Sequence, residues 1–306
     1  MSDFLVIANP TSGSRAAPYL ATRAVELLKA RGCSAELQVT SARGDALKWA
    51  RAAAQAAAPC VVGCGGDGTL QEIATALDGS GTAFGILPGG RCNDFAHALG
   101  LSKRDSPEHL VDVLVSGTQR AIDLGSVHGK RFLTVATLGF DSDVSRYVES
   151  RNLWLKGTLA YVYGIARVLP SYSFPRIKLS GDFGTREGRM LLAATGNSPC
   201  YGGALHIVPN ATLDDGVFDI CAVDAVPRLA VFEFLARVLN GSHTTHAAVT
   251  MLKSRTMDVE TPDGPLFICA DGETLGQTPC TFEIRPAAIK VIVPKKVPSD
   301  VLGVRS

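Results

Sequence analysis

Apolar strands alternate with helical segments through the first third of the chain, and this alternation is the strongest constraint on the fold. The predicted strands are 4–8, 35–40, 59–62 and 83–87, and the predicted helices are 18–31, 44–58, 69–77 and 93–99. Strands and helices that alternate with this spacing are typical of a parallel sheet covered by helices. We therefore predict a doubly wound α/β domain in this part of the chain.

The rest of the chain has a different pattern. After a predicted helical stretch at 144–169, short β-type segments are separated by Gly, Pro, Asn and Asp, with one helix near 229–240. The predicted strands are 177–179, 190–195, 205–208, 217–223, 256–260, 266–270, 281–284 and 289–293. This pattern is typical of an antiparallel β-sandwich or barrel. We divide the chain into an α/β domain (1–124), a β-rich domain (125–294) and a tail (295–306) that could pack back on the first domain.

Composition excludes several classes of protein. The 306 residues are 46% hydrophobic and 19% charged, which is typical of a globular chain with a sizeable core. The formal net charge is +1, whereas nucleic-acid-binding domains are usually strongly basic, so we expect no nucleic acid partner. We expect neither a secretory signal nor a spanning helix. The eight cysteines form no Cys-x-x-Cys pair, and this predicts reduced thiols in a cytoplasmic protein.

A glycine-rich loop, residues 65–69 (Gly-Gly-Asp-Gly-Thr), lies between the third predicted strand and the helix after it. Its backbone N–H groups can converge on an anion at the helix N-terminus, and its glycines let phosphate oxygens approach the backbone. The carboxylate of Asp67 would repel a bare phosphate unless a divalent cation lay between them. The loop therefore indicates a site for a metal-bound nucleoside triphosphate, and a tight structural turn is the alternative.

The glycines of this loop also match the Gly-x-Gly-x-x-Gly fingerprint of dinucleotide-binding proteins. In those proteins the fingerprint follows the first strand, and an acidic residue about 20 positions later binds a ribose. Here the loop follows the third predicted strand, and Pro88 stands near the place of the acidic residue. Both differences count against a dinucleotide-binding enzyme that catalyses hydride transfer.

Two further turns follow predicted strands of the same domain. One is residues 9–13 (Asn-Pro-Thr-Ser-Gly), and the other is residues 88–95 (Pro-Gly-Gly-Arg-Cys-Asn-Asp-Phe). Doubly wound sheets bind ligands at the carboxyl ends of their strands. Each turn taken alone could be structural, but three such turns in one domain favour a nucleotide cleft.

The second domain contains two segments that could carry chemistry. Residues 271–273 (Asp-Gly-Glu) follow an apolar strand, and two carboxylates at a strand end could supply a general base. An Asp-Gly hairpin turn is the alternative. Residues 209–216 (Pro-Asn-Ala-Thr-Leu-Asp-Asp-Gly) are either a turn or an oxygen-rich cation site.

Taken in order, these motifs resemble the diacylglycerol kinase catalytic-domain family, which includes soluble bacterial lipid kinases and the sphingosine and ceramide kinases. The matching segments are 65–69, 93–95 (Asn-Asp-Phe), 201–203 (Tyr-Gly-Gly), 215–216 (Asp-Gly) and 271–273. The resemblance extends over about residues 4–294. It implies a nucleotide domain like those of NAD kinase and phosphofructokinase, a β-sandwich domain beside it, and an active site in the cleft between them.

The resemblance implies an ATP site in the first domain. The positions that match the family's ATP-binding motifs are Asn9, Pro10, Thr11, Ser12, Gly13, Thr40, Gly65, Gly66, Asp67, Gly68, Thr69, Leu70 and Gln71. Arg91 stands where many members have a threonine. Its permanent positive charge could lie near the phosphates, so a contact between Arg91 and ATP is a further hypothesis.

The resemblance also implies catalytic and metal-binding residues. In the family, the Asp-Gly-Glu motif supplies the base for the acceptor hydroxyl, and this role falls here to Asp271 or Glu273. The family's acidic network around the catalytic Mg²⁺ maps to Asp67, Asp94 and Asp123.

A second, structural Mg²⁺ is implied in the loop before the fourth predicted strand of the β-rich domain. By position, Asp215 and the backbone carbonyls of Thr212 and Val217 would hold it. Asp214 is an extra carboxylate beside this site and could strengthen cation binding.

We therefore expect ATP- and Mg²⁺-dependent transfer of a phosphoryl group to a lipid hydroxyl. Diacylglycerol is the preferred acceptor because it is frequent in the family, and ceramide or a sphingoid base is the alternative. A NAD kinase-like enzyme and a non-catalytic nucleotide- or lipid-binding regulator are the other functions left open.

A lipid acceptor requires contact with a membrane. Residues 154–163 combine aromatic side chains with cations, as interfacial helices do, and residues 126–170 hold six basic against three acidic residues. An ordinary core helix is the alternative. We expect a cytoplasmic protein with peripheral membrane contact, and we leave a homodimer open.

Overall fold

The computed structural model describes residues 2–13, 16–151, 158–203 and 205–295. The α-helices of these ranges are α1 (Ala16–Ala30), α2 (Asp45–Gln55), α3 (Asp67–Leu77), α4 (Asp94–Ala98), α5 (Pro107–Ser116), α6 (Phe140–Glu149), α7 (Thr158–Val168) and α8 (Ala230–Val238). Two short 3-10 turns lie at Leu169–Ser171 and Ser242–Thr245. Within the described ranges, no helix is long and apolar enough to cross a membrane.

Strands alternate with helices only in the first domain. Its strands are β1 (Phe4–Ala8), β2 (Ala35–Val39), β3 (Cys60–Gly65) and β4 (Ala83–Pro88). The strands that follow are β5 (Thr118–Val127), β6 (Lys130–Phe132), β7 (Val135–Gly139), β8 (Arg176–Gly181), β9 (Gly184–Gly196), β10 (Phe218–Asp224), β11 (Val249–Ser254), β12 (Thr256–Glu260), β13 (Phe267–Ala270), β14 (Glu273–Gln277) and β15 (Cys280–Val293).

The first sheet is parallel, in the order β4-β3-β1-β2. Every residue of β3 and β4 is buried, as expected for strands that helices cover on both faces. The register places Ala8 opposite Cys64, and Gly65 opposite Pro88. The three turns that follow β1, β3 and β4 therefore emerge at one edge of the sheet.

The second domain is built from antiparallel pairs that share two long strands. The first half of β9 pairs with β8, and its second half pairs with β7 and β10. β15 begins against β12 and ends parallel to β4, while β5 runs antiparallel along most of its length. The buried apolar side chains of this domain form two clusters. One surrounds Phe132, Phe218 and Phe282, and the other surrounds Phe140 and Phe234. The predicted α/β domain with a β-sandwich domain is confirmed.

The predicted elements of the first domain are all present, with ends shifted by a few residues. α5 was not predicted, although Ser106 caps it by accepting a hydrogen bond from the His109 N–H, and Pro107 begins it. β5, which crosses from the first domain to the second, was not predicted, and neither were β6, β7, β11 and β14 of the second domain. The predicted helical stretch 144–169 contains the second half of α6 and all of α7, and residues 152–157 lie outside the described residues.

Two strand predictions in the second domain need correction. The predicted strand 205–208 is wrong, because Leu205 forms only an isolated bridge with Tyr201 around a tight glycine turn. The segments 281–284 and 289–293 are one strand, β15, with an irregularity between Arg285 and Ile289. Its last residues extend the first sheet beside β4. The predicted tail lies outside the described residues except for Lys295.

The carboxylate of Asp123 joins three segments where β5 crosses from one domain to the other. One oxygen accepts a hydrogen bond from the Ala287 N–H and the other from the Gly216 N–H, each at 2.7 Å. The amide of Asn197 donates to the Asp123 carbonyl at 2.8 Å. Burial raises the pKa of this carboxyl. Asp123 therefore fixes the irregular part of β15 and the loop before β10 onto β5.

We predict that Asp123→Ala lowers the free energy of unfolding by about 2–4 kcal/mol, because two partly buried N–H groups lose their acceptor. Urea unfolding followed by circular dichroism measures this loss. Asp258→Ala is the control. Among the described residues, the Asp258 carboxylate accepts a single exposed side-chain bond, from the Thr281 hydroxyl, and its removal should cost about 0.5 kcal/mol or less. Equal losses in the two variants would contradict the role of Asp123.

Candidate active site

A cavity of about 480 Å³ opens at the edge of the first sheet where the strand-end turns meet. Among the residues predicted to bind ATP, those that line it are Asn9, Pro10, Thr11, Ser12, Thr40, Gly66, Gly68 and Thr69. The cavity is also lined by Arg43, Glu72 and Glu273, of which only Glu273 was predicted. The turn after β1, the glycine-rich loop and the second domain's Asp-Gly-Glu motif therefore share one cavity.

Side-chain hydrogen bonds fasten the turn after β1 to the glycine-rich loop. The Asn9 amide donates to the Thr69 hydroxyl at 3.1 Å, and the Ser12 hydroxyl accepts a bond from the Gly66 N–H at 3.2 Å. Asn9 also accepts a bond from the Thr11 N–H at 3.0 Å, which shapes its own turn. These bonds hold the two turns in a fixed relation.

The third turn packs directly on the glycine-rich loop. A Cβ atom added to Gly90 would lie 2.4 Å from the Gly66 Cα, and one added to Gly13 would lie 2.5 Å from the Gly89 carbonyl oxygen. The Gly89 N–H donates to the Gly65 carbonyl at 2.9 Å. Glycine is therefore required at Gly90 because two backbones are in contact there.

Helix α3 begins at this contact and points its N-terminus toward the cavity. Gly66 is the N-cap residue, and no side chain caps it within the described residues. Uncapped N–H groups at a helix N-terminus are a favourable site for phosphate oxygens. The sequence places this helix start directly after the glycines that line the cavity.

Two carboxylates lie at the rim of the glycine-rich loop. The Asp67 carboxylate accepts bonds from the Asn93 N–H at 3.0 Å and the Phe95 N–H at 3.5 Å, so it braces the start of α4. The Asp94 carboxylate accepts a bond from the Gly203 N–H at 2.8 Å. Burial raises the pKa of Asp67. Burial, and then the charge of Asp67, raise the pKa of Asp94 to about 7.

The Asp-Gly-Glu motif reaches the same cleft from the turn between β13 and β14. The Asp271 carboxylate accepts bonds from the Leu133 N–H at 2.6 Å, the Thr134 N–H at 3.2 Å and the Thr134 hydroxyl at 2.6 Å. Burial raises the pKa of Asp271 to about 6, although these bonds lower it, and the charge of Asp67 adds to the increase. Asp271 is therefore a fixed carboxyl group whose pKa is close to neutrality.

Glu273 makes the contact between the two domains at the mouth of the cavity. Its carboxylate forms an ion pair with the guanidinium of Arg43, whose side chain is 75% exposed. One of its oxygens lies 3.9 Å from the ideal Cβ position of Gly68. The second domain therefore touches both the glycine-rich loop and the segment after β2.

Some predicted residues do not line the cavity. Leu70 is fully buried in the core under α3, and the Gln71 amide donates to the Arg131 carbonyl at 2.7 Å. Arg91 is exposed, and its carbonyl accepts a bond from the Lys103 ammonium at 3.0 Å. Asp123 serves the crossing of β5 described above. Their contacts with ATP or metal stay predictions.

The loop predicted to hold the structural Mg²⁺ is rich in acidic side chains. The Lys253 ammonium lies 3.4 Å from the Asp215 carboxylate and 2.9 Å from the Asp219 carboxylate. The Val217 N–H donates to Asp215 at 3.3 Å, and Arg120 lies 3.6 Å from Asp214. The buried hydroxyl oxygen of Thr212 has no hydrogen-bond partner among the described residues.

Sequence reasoning missed three residues that shape the site. Thr134 holds Asp271, from which it is separated by 137 positions, and no local pattern indicates that pairing. Glu72 accepts bonds from the Gly44 and Leu47 N–H groups and so caps α2 from a neighbouring helix. Arg43 lies just before α2. A cation at that position has no part in forming the helix, so no sequence pattern indicated Arg43 as a site residue.

We predict that Gly90→Ala weakens nucleotide binding about tenfold or more, because the new methyl group must push the third turn away from Gly66 at a strain of about 1–3 kcal/mol. Titration with a fluorescent ADP analogue measures the affinity. Gly81→Ala is the matched control, since a Cβ at Gly81 meets nothing within 4 Å. Unchanged affinity in folded Gly90→Ala protein would contradict this account of the loop.

Two family models match successive parts of the chain. Residues 3–127 match the family model "Diacylglycerol kinase catalytic domain", and residues 134–293 match "YegS C-terminal NAD kinase beta sandwich-like domain". A diacylglycerol kinase of Mycobacterium tuberculosis (strain H37Rv) is 32% identical over 296 residues, with 94% of each chain covered. A diacylglycerol kinase of Bacillus subtilis (strain 168) is 27% identical over 294 residues, with 95% of this chain and 96% of that protein covered.

A crystal structure of a diacylglycerol kinase from Bacillus anthracis str. Sterne has the same fold. It superposes with a TM-score of 0.74 at 22% identity and covers 96% of this chain and 97% of that one. The sequence match extends over nearly the whole chain, and residues of the glycine-rich loop and of the Asp-Gly-Glu motif line one cavity. The chain therefore belongs to the diacylglycerol kinase family of lipid kinases.

Proposed function

We propose that this chain transfers the γ-phosphoryl group of ATP to the hydroxyl group of diacylglycerol, with phosphatidic acid and ADP as products. The lipid oxygen forms the new bond to the γ-phosphorus, the bond to the β-phosphate oxygen breaks, and the hydroxyl proton passes to a carboxylate of the protein. The observation that carries the proposal is that Glu273 of the Asp-Gly-Glu motif lines the same cavity as Gly66 and Gly68 of the glycine-rich loop.

Several features of the cavity support ATP as the donor. Its volume of about 480 Å³ is within the usual range of small-molecule sites, roughly 300–1,000 Å³. Backbone N–H groups at the start of α3 are available to phosphate oxygens. Arg43 supplies a positive charge at the mouth of the cavity. Catalysis of phosphoryl transfer depends mainly on positioning and on neutralising phosphate charge.

Mg²⁺ fits the cleft as an ion shared with the nucleotide. Among the described residues, no group of three or more His, Cys, Asp or Glu side chains could hold a metal ion by itself. Mg²⁺ is commonly bound by one or two carboxylates together with substrate phosphates. Asp67 and Asp94 would hold it, since each lies beside the other's charge and a cation relieves that repulsion. When bound, Mg²⁺ neutralises charge on the phosphates.

A structural Mg²⁺ in the loop of Thr212, Asp215 and Val217 is part of the proposal. The Asp215 carboxylate and the backbone carbonyls of Thr212 and Val217 are oxygen ligands of the type that Mg²⁺ prefers, and the nearby Thr212 hydroxyl has no hydrogen-bond partner among the described residues. Lys253 already neutralises part of the charge on Asp215, so binding there would require this ion pair to loosen.

We assign the base to Asp271 rather than Glu273. A general base works best when its pKa is near the operating pH, and the pKa of Asp271 is raised to about 6 by burial. The carboxylate of Glu273 is already engaged in an ion pair with the guanidinium of Arg43. Glu273 instead completes the mouth of the cavity.

We predict that Asp271→Asn lowers kcat by about 100-fold or more, because the amide cannot accept the hydroxyl proton. The wild-type rate should fall as the pH decreases below about 6, since the base becomes protonated there. Phosphate transfer from labelled ATP in mixed micelles measures both effects. Glu273→Gln is the matched control and should keep much more activity; the reverse order would assign the base to Glu273.

The same assay decides among acceptors. Diacylglycerol, ceramide, sphingosine and NAD are supplied separately with Mg²⁺ and ATP, and the products are identified by mass. We expect phosphatidic acid as the main product, because two relatives that match over 94% and 96% of their own length are named diacylglycerol kinases. Preferential transfer to ceramide, sphingosine or NAD would overturn diacylglycerol as the substrate, and nucleotide binding without transfer would favour a regulator.

We also propose that α7 contacts the membrane. Its Leu159 and Val162 side chains are 66% and 52% exposed, and Arg167 in its last turn can face anionic headgroups. Residues 154–157 of the segment predicted from the sequence (154–163) lie outside the described residues. A peripheral contact brings the cleft to a lipid that remains in the bilayer.

We predict that Leu159→Asp with Val162→Asp reduces binding to anionic vesicles about tenfold, because two exposed apolar side chains no longer enter the interface. Vesicle sedimentation measures the bound fraction. Val115→Asp, at a 45% exposed position on α5, is the control and should bind like the wild type. Equal binding by all three proteins would dismiss α7 as the contact.

A further inference from the structure

A buried carboxylate lies at the start of α6, outside the cavity. Asp141 is 2% exposed. The Thr137 hydroxyl donates to one of its oxygens at 2.6 Å. The Tyr201 hydroxyl donates to the other oxygen at 2.9 Å, and the Tyr161 hydroxyl donates to that same oxygen. One side chain therefore joins β7, α6, α7 and the 201–203 turn.

The partners of Asp141 are unusual for a buried carboxylate. Three hydroxyl groups donate to it, and it forms no ion pair within the described part of the chain. Burial, and then the charge of Asp141, raise the pKa of both Tyr161 and Tyr201, so both phenols stay protonated and act as donors. Burying a carboxylate without a cation is expensive, and hydroxyl donors offset that penalty.

The 201–203 turn connects this carboxylate to the candidate active site. Tyr201 opens the turn, and its backbone N–H and carbonyl pair with Leu205 at 3.1 Å. Gly202 and Gly203 follow with φ values of 64° and 84°, which reverse the chain. The Gly203 N–H then donates to the Asp94 carboxylate at 2.8 Å. The turn is thus fastened to Asp141 by a phenol and to Asp94 by a backbone amide.

We propose that Asp141 is a positioning residue for Asp94. The Asp141 carboxylate accepts a hydrogen bond from the Tyr201 hydroxyl. This bond holds the turn so that the Gly203 N–H is in position to donate to the Asp94 carboxylate. This inference rests on the proposed function in one respect, since the catalytic effect requires Asp94 to serve Mg²⁺–ATP. The geometry itself, from Asp141 to Tyr201, Gly203 and Asp94, does not depend on it.

The alternative is that the carboxylate only packs α6 against α7. The two tyrosines separate these roles, because both donate to the same oxygen but Tyr161 belongs to α7 and Tyr201 to the turn. Tyr201→Phe removes the link to the turn, and Tyr161→Phe removes the link to α7. Each variant deletes one hydroxyl and keeps the ring, so both should remain folded where Asp141→Ala could fail to fold.

The first measurement is kinetic. We expect Tyr201→Phe to lower kcat about tenfold and to raise the Mg²⁺ concentration required for half-maximal rate, with the KM for lipid unchanged, because Asp94 loses its fixed orientation. Tyr161→Phe should keep kcat within about twofold of the wild-type value. Equal effects of the two variants on kcat and on Mg²⁺ dependence, or no effect of either, would overturn the proposal.

The second measurement follows the turn directly and needs no turnover. Cys92 is exposed, and its sulfur lies 3.5 Å from the ideal Cβ position of Gly203, so its thiol reports where the turn lies. In a Cys33→Ser background, Tyr201→Phe should change the rate of Cys92 labelling severalfold, and Tyr161→Phe should not. Identical labelling in the two variants would overturn the positioning role. If wild-type protein phosphorylated no lipid while this difference held, the proposed function would fail and the positioning of the turn would stand.

Discussion

The parallel pairing of β1, β3 and β4 is the constraint on which the site depends. Because these strands run in the same direction and in register, the turns that follow them must emerge together at one edge. Contact between the backbones of Gly66 and Gly90 then sets the spacing of two of these turns. The N-terminus of α3 faces the space that remains, so the shape of the cavity follows from strand direction and from the absence of two side chains.

The negative charges in the cleft come from both domains. Asp67 and Asp94 belong to the first domain, and Asp271 belongs to the second. The charge of Asp67 contributes to the raised pKa of both Asp94 and Asp271. The repulsion among these carboxylates is unfavourable in the free protein. The cation of a metal-bound nucleotide would reduce that repulsion. Backbone N–H groups from distant segments, such as Leu133 and Gly203, hold these carboxylates in place meanwhile.

The first domain could be predicted from the sequence because its strands are short, apolar and buried, and glycine-rich turns mark their ends. The second domain could be predicted only in outline. The apolar segment at Leu205 resembles a strand, but the positive φ values of Gly202 and Gly203 turn the chain before a ladder can form. The motifs identified Asp271 and Glu273, but the bonds from Thr134 and the ion pair with Arg43 depend on tertiary contacts that no local pattern encodes.

The course of β15 has a consequence for the independence of the two domains. Lys290 and Val291 pair with Ala83 and Phe84, so the exposed side of β4 is covered by residues that follow the whole β-rich domain in the chain. A fragment that ended near residue 124 would leave this edge with unpaired N–H and carbonyl groups, which favour aggregation. During synthesis, the first sheet must wait for the last strand before its edge is closed. We therefore expect the two domains to fold as a single cooperative unit, although they are two regions in sequence.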